Sequence, residues 1–376
     1  MVMKVNQVYS VINNIAKNMK LGTSEVVDYT TFVSFGNDVL NSTNNKEVFY
    51  QSLIDRIGKT IIAIREYTAD ARHTLVDEFT FGNILQKISY KYQDAENNSS
   101  WEKIPSNPYE WESKNGVVQN LFAQALPTFC FTDVIYDKQL ESAFISPVNM
   151  SAFINGLYIR MRNSYEISKE GMVNATINGL IDKVHGETTA EPPINNRRCR
   201  NLLAEYNATH EPITSVALAL ENKNFLEFCC VEMGIIPSFI KKPTLRYNNG
   251  TVERHTSNEN LIVEIATEFN KKYDVYLKSN TFHDTLVNLP NYADIPYWNN
   301  PEKPMSVYDN LGNESLENVI CIMRDVDACA CTLEREKFVS KYDEINERTY
   351  IKLSADRRFI ADTSENVVVF YLKYQA

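Results

Sequence analysis

The feature that most constrains this chain is a long arm between residues 84 and 131. On its outgoing side Ile84, Ile88, Tyr90 and Tyr92 fall on one face, with Leu85, Lys87, Ser89 and Lys91 on the other. That period of two is what a strand needs to rest one face on apolar surface. The return side (Leu121, Ala123, Ala125, Phe129, Phe131) alternates in the same way, interrupted by Pro127, which suits an edge strand. Residues 93–116 between the two sides are rich in Asn, Ser, Glu, Lys and Pro and have no usable period. Compact domains rarely carry a structureless loop of that length unless it is functional. The tip nevertheless holds Trp101, Ile104, Tyr109 and Trp111. A hairpin this long cannot bury its tip against its own body, so these side chains predict contact with a partner surface. A mobile surface loop with scattered aromatics is the plainer alternative.

Helical stripes flank the arm. Met150, Phe153, Ile154, Leu157, Tyr158 and Met161 follow the three-and-four spacing of an apolar helix face. Val173, Ile177, Leu180, Ile181 and Val184 predict a second helix, with Ser168 as its N-cap, Glu170 near its positive end and Gly186 closing it. Near the start, Val5, Val8, Ile12, Ile15 and Met19 form an amphipathic helix ending near Gly22. That stripe has no evident partner within the chain, which predicts a contact between subunits.

With 376 residues, 44% of them hydrophobic, the chain can bury a substantial core in one to three domains. A net charge of −10 argues against a protein that grips nucleic acid. The basic clusters (Arg197, Arg198 and Arg200; Lys241 and Lys242; Lys271 and Lys272; Arg357 and Arg358) are short and dispersed, and read as solvated or carboxylate-paired. The first nineteen residues lack the apolar core of a signal peptide. No run of 18 apolar residues is present, so no membrane span is expected. Seven cysteines, an odd number in a long chain, predict buried, reduced thiols.

Motifs for chemistry are missing. Cys329 and Cys331 lack the spacing of a zinc site, and the five histidines form no ligand pair. Neither phosphate-binding glycine pattern occurs, nor a nucleophile elbow. Asp325 and Asp327 could act as an acid–base pair, but turn residues closing a strand explain them more simply. No catalytic residue, metal or cofactor is expected.

Residues 186–196, with Pro192 and Pro193, read as a boundary. Beyond it the sequence predicts a mixed α/β region. It has a basic helix over 197–206, an apolar helix over 224–233, strands at 261–265, 275–277 and 319–323, and a Pro-rich loop over 290–304. A strand at 350–353 precedes a charged turn at 356–358. Residues 367–372 form an unbroken apolar run suited to the centre of a buried sheet. A central strand from so late in the sequence implies a domain built from two distant pieces.

This order of elements, an α+β plan, resembles the HK97-type phage capsid fold. Residues 49–58 (FYQSLIDRIG) and 140–146 (LESAFIS) look like head proteins of phi29-type short-tailed phages, and residues 325–338 and 350–372 are similar too. The resemblance implies an N-terminal arm (1–48), a first P-domain part (49–79), an E-loop (80–135) and a P-domain with a spine helix (136–195). An A-domain (196–334), a P-domain return strand (335–362) and a final A-domain strand (363–376) follow. The chain ends at Ala376, so the immunoglobulin-like domain that some phi29-type head proteins append is not expected.

What the resemblance implies is a major capsid protein, assembled in the host cytoplasm into an icosahedral or prolate virion shell around double-stranded DNA. Its partners would be copies of itself in hexamers and pentamers, with scaffolding protein, portal and minor head proteins. DNA would be touched without sequence preference, since an acidic lining repels phosphate. An encapsulin-like compartment would share the fold, and a soluble α/β enzyme with an extended lid loop is the rival from another class.

Overall fold

The computed structural model describes residues 5–19, 25–40, 45, 48–49, 72, 74, 84–90, 118–124, 129–190, 197–249, 252–275, 292–309 and 311–375. In chain order these give α1 (Val5–Met19), α2 (Tyr29–Leu40), β1 (Ile84–Tyr90), β2 (Val118–Gln124), β3 (Phe129–Tyr136), α3 (Asp137–Ala143) and α4 (Pro147–Thr189). Next come β4 (Cys199–Asn201), α5 (Leu202–Asn207), α6 (Val216–Ala219), α7 (Lys223–Ile240), β5 (Leu261–Ala266), α8 (Thr267–Tyr273) and β6 (Ala293–Ile295). The chain closes with β7 (Val307–Tyr308), β8 (Glu314–Leu316), β9 (Val319–Asp325), β10 (Cys329–Asp343), β11 (Arg348–Ala361) and β12 (Val367–Tyr371). They divide into two compact units. The first is Met1–Ala71, Leu126–Gly171 and Leu333–Arg357; the second is Arg72–Ala125, Met172–Thr332 and Arg358–Ala376.

In the first unit, aromatic packing organises the core. Phe32, Phe35, Phe49 and Phe144 are buried and lie ring to ring, with centroids 5.4 Å apart for Phe49–Phe144 and 5.7 Å for Phe32–Phe144. Such tilted pairs add attraction beyond area burial. Helix α1 joins this core. Ile12 and Ile15 are fully buried in it, and the Asn13 amide clamps residue 26, accepting from the Val26 N–H at 2.7 Å and donating to its carbonyl at 2.9 Å. This corrects the expectation that Ile12 and Ile15 contact another subunit: their partners are Val26, Phe32 and the cluster around them. The side chains of Val5, Val8 and Met19 lie outside the described residues.

A three-stranded sheet, in the order β10-β11-β3, completes this unit. Strand β3 pairs antiparallel with β11 from Phe129↔Ala355 to Tyr136↔Arg348. The return arm, read from sequence as continuous through Phe131, therefore ends at Gln124, and Phe129 and Phe131 serve another sheet. Pro127, which has no N–H for a ladder, lies between them. The charged turn expected at 356–358 is strand instead, because β11 runs on to Ala361. The chain reverses at 343–347, where the Asp343 carboxylate accepts from the Ile345 and Asn346 N–H groups at 3.1 and 3.3 Å.

The expected pair of helices on either side of Ser168 is one helix, α4, of 43 residues. Buried Tyr165 and Met172 carry the apolar stripe across the expected break, so the helical phase is never lost. Gly186 does not end it; the helix continues to Thr189. Val173, Ile177, Leu180, Ile181 and Val184 are buried, whereas the side chains of Ile154, Leu157, Tyr158 and Met161 lie outside the described residues.

The second unit is built on a mixed sheet in the order β4-β12-β9-β5-β6. Strand β12 pairs parallel with β4 and antiparallel with β9, as the apolar run at 367–372 predicts. All seven residues of β9 are buried. Each fully buried Val or Phe of β12 contributes about 1.5–3 kcal/mol. Residues 197–206 are not one helix: pairing with β12 draws 199–201 into the sheet, and the Asn201 side chain then caps α5. Val275 lies in a helical turn after α8 rather than a strand, and residues 276–291 lie outside the described ones. The Pro-rich bridge contributes β6, paired parallel with β5, and a buried Trp298 whose Nε1–H donates to the Val319 carbonyl at 2.8 Å.

Gly36 offers a test of the aromatic core. A Cβ there would sit 2.7 Å from Phe144 Cδ1. Alanine in a helix is ordinarily worth about 1 kcal/mol over glycine. Here Gly36→Ala is expected to lower stability by about 1–3 kcal/mol through overpacking, read as a lower urea midpoint. An unchanged or raised midpoint would show that Phe144 yields.

Candidate assembly arm and its anchor

Strands β1 and β2 form an antiparallel hairpin in unbroken register from Ile84↔Gln124 to Tyr90↔Val118, with Lys87 opposite Leu121 at its middle. Seven paired residues extend it about 24 Å. Among the described residues these strands form a sheet of their own and pair with no other strand. Trp101, Ile104, Tyr109 and Trp111, the predicted contact residues of the tip, lie outside the described residues.

Arg72 and Thr74, the described residues that precede the hairpin in sequence, are held by buried charge. Arg72, in the left-handed region at φ 49, donates from Nε to Glu264 Oε1 at 2.8 Å and from Nη1 to Asn174 Oδ1 at 2.9 Å. Its guanidinium lies 5.5 Å from the Trp298 ring centre. Arg324 donates from Nη2 to the Arg72 carbonyl at 2.6 Å and to Thr74 Oγ1 at 3.0 Å, and approaches Glu264 at 3.7 Å. The Thr74 carbonyl accepts from the Cys331 N–H at 2.8 Å. The cluster thus joins the residues before β1 to β5, β9, α4 and the start of β10.

Glu264 and Arg324 are fully buried. Desolvation pushes the Glu264 carboxyl upward, but Arg324 and Arg72 outweigh it and hold the group below its usual range. Two permanent cations around an ionised carboxylate leave no proton to exchange near neutral pH, so the cluster works as a tie. None of the expected site residues belongs to it, although the sequence carries its signal: Glu264 interrupts the apolar strand LIVEIA, and Arg324 ends the run VICIM. A charge inside a buried strand requires a partner from elsewhere in the fold.

The basic cluster at 197–200 is paired, as expected of such clusters. Arg198, fully buried, bonds Glu187. Arg200 bonds Glu205 through Nε at 3.0 Å and Glu232 through Nη2 at 2.6 Å. Asp325 behaves as a turn residue: its Oδ1 accepts from the Asp327 N–H at 2.9 Å and its Oδ2 from the Thr256 hydroxyl at 2.6 Å. Among the described residues no group of His, Cys, Asp and Glu could hold a metal, and no helix is long and apolar enough to cross a membrane.

This architecture is shared with solved phage shells. A capsid structure of Staphylococcus phage Andhra aligns over 82% of this chain and 84% of its own, with a TM-score of 0.54 at 7% identity. A chain from native bacteriophage P68, in a structure of its head fibre and inner core protein, aligns over 80% and 83%, with a TM-score of 0.52 at 7% identity. No curated protein sequence matches the chain. The fold is that of an HK97-type capsid subunit, a structural protein that forms shells from copies of itself. The model of the Phi29-like phage major capsid protein family matches residues 10–371, and the chain belongs to that family. Its place is the capsid of the virion.

The anchor can be tested through its charge. Glu264→Gln leaves two buried guanidinium groups without their carboxylate and is expected to cost about 3–5 kcal/mol at neutral pH. Because the folded pKa of Glu264 is depressed, its contribution is complete above the unfolded value of about 4.5 and fades as pH falls toward the folded value. The melting midpoint of the wild type should therefore drop below about pH 4.5 more steeply than that of Glu264→Gln; parallel curves would remove the ionic tie.

All seven cysteines are free, and only Cys130 is exposed. Burial raises Cys199 and Cys230 to about 12 and Cys329 to about 11. Thiolates react and thiols do not. At pH 8, folded unassembled subunits should thus alkylate quickly at Cys130 alone, and at all seven cysteines after denaturation. Rapid modification of a buried cysteine in the folded state would contradict this.

Proposed function

We propose that the chain assembles as hexamers and pentamers into a closed icosahedral or prolate shell around phage double-stranded DNA, with the β1–β2 arm reaching onto a neighbouring copy. The observation that carries this reading is the two-stranded hairpin itself. An isolated pair of strands is marginally stable in water, and β1 and β2 pair with no other strand among the described residues. In the shell, a neighbouring copy completes this pair of strands. Trp101, Ile104, Tyr109 and Trp111 at the tip are the anchors of that contact. Buried aromatics in such positions often contribute about 2 kcal/mol or more each.

The division into N-terminal arm (1–48), E-loop (80–135), P-domain and A-domain (196–334 with 363–376) belongs to the same reading. So do a scaffolding protein, a portal and minor head proteins as partners, and assembly in the host cytoplasm. The acidic balance, net charge −10, fits a shell that contacts packaged DNA without holding it, because a lining that repels phosphate leaves the genome free to enter and leave.

Replacing both Trp101 and Trp111 with Ser tests the arm. Subunit melting should stay within a degree or two, while particle yield falls sharply and wild-type tryptophan emission shifts to shorter wavelength on assembly. A double variant that assembles as well as wild type, or that unfolds as a free subunit, would remove the tip from the contact.

A further inference from the structure

The second unit leaves one helix face uncovered. On α7, Leu226, Cys229, Cys230, Met233, Ile236 and Ile240 point into the core. Val231, Ile235 and Phe239, at i, i+4 and i+8, are exposed, Val231 by 55%. Leu245, five residues past the helix, is exposed as well. The rim of the stripe is basic at its C-terminal end: Lys241, Lys242 and Arg246 are exposed there, with the Arg246 guanidinium 5.2 Å from the Phe239 ring centre. At the other end Glu227 pairs with Lys223. A contiguous apolar stripe with a charged rim marks an interaction surface, and a basic rim on an acidic protein calls for an acidic partner.

A feature of complementary character lies on the same unit. Between β7 and β8 the chain turns through Leu311, which is 87% exposed. Gly312, at φ +84, makes the turn possible, and the Asp309 carboxylate stiffens it by accepting from the Leu311 and Asn313 N–H groups, each at 2.8 Å. This apolar knob carries the Asp309 carboxylate, with exposed Glu317 close behind. Glu314 beside it is already paired with Lys303, whose Nζ donates to Oε2 at 2.6 Å, and the group as a whole remains net acidic.

The two features lie on opposite sides of the five-stranded sheet. Glu264 meets Arg72, which bonds Asn174 of α4. Ile322 and Val369, in register with Glu264, share that face. The β7–β8 hairpin is tied to the same helix one turn along, where Asn178 bonds both the N–H and the carbonyl of Tyr308 at 3.0 and 2.6 Å. Phe370 points the other way, beneath Arg200, whose guanidinium bonds Glu232 of α7. A knob on one side and its receptor on the other describe a head-to-tail contact, the kind that generates rings of identical subunits.

We infer that the β7–β8 turn of one subunit, led by Leu311, docks onto the basic-rimmed α7 stripe of the next copy within a capsomer. The inference rests on the shell reading, and its test separates the two. The full chain is assembled into shells with a photo-crosslinking phenylalanine analogue in place of Leu311, an exposed position where folding is not at risk. After irradiation, adducts between chains should map to residues 231–246, at least tenfold more abundant in shells than in dissociated subunits. Adducts mapping elsewhere in intact shells, or none, overturn the docking while leaving shell assembly standing. If the wild-type chain forms no shells, the reading beneath it fails as well. As an independent arm, Lys241→Glu with Lys242→Glu should lower shell yield at least tenfold, and adding Glu317→Lys should recover at least threefold. An unaltered yield, or no recovery, overturns the pairing of the two rims.

Discussion

Most of the second unit is organised around Glu264, a carboxylate with no access to water. Burying one ion costs several kcal/mol unless its partners are in place. Arg72 and Arg324 are those partners, and they come from places far apart in sequence. The ion pair therefore forms only when β5 and β9 are in register, α4 has delivered Asn174, and the segment before β1 has entered its left-handed turn at Arg72. A buried pair of this kind adds little net stability over apolar packing, but breaking it is expensive. Its consequence is uniqueness: alternative registers of the sheet would strand a charge.

That tie also fixes Arg72 and Thr74, which precede the arm in the chain. Among the described residues the hairpin strands pair only with each other. The Arg72 and Thr74 carbonyls are both occupied, by Arg324 and by the Cys331 N–H. The residues ahead of the hairpin are thus fixed on the second unit, while β1 and β2, among the described residues, form a sheet of their own. In the first unit the aromatic cluster and the Asn13 clamp do comparable work, holding α1 on the body.

Several features were legible in the sequence. Period-two alternation marked β1, and apolar runs marked β9 and β12 because strands covered on both faces need no polar face. The stripe of α4 was visible in its second half. Other expectations failed for identifiable reasons. Ser168 looks like a cap, but a side chain cannot end a helix whose apolar phase continues through Tyr165 and Met172. Arg197 to Tyr206 have helical character, yet pairing with β12 takes three of those residues as strand. The α1 stripe seemed unpartnered because its partners, Phe32 and Val26, are recognisable only once the chain has turned back.

By itself the sequence determined the inventory: an acidic chain without a metal or nucleotide signature, a polar-tipped arm, long amphipathic helices, and a late apolar strand. These are local or compositional properties, set by spacing of a few residues and by charge count. Only the tertiary structure decided which charges met, that α1 belongs to the body, that β3 leaves the arm for another sheet, and that α7 and the β7–β8 turn occupy opposite sides of one sheet. Each of these depends on contacts between residues tens to hundreds of positions apart, where periodicity carries no information and burial alone selects the partner.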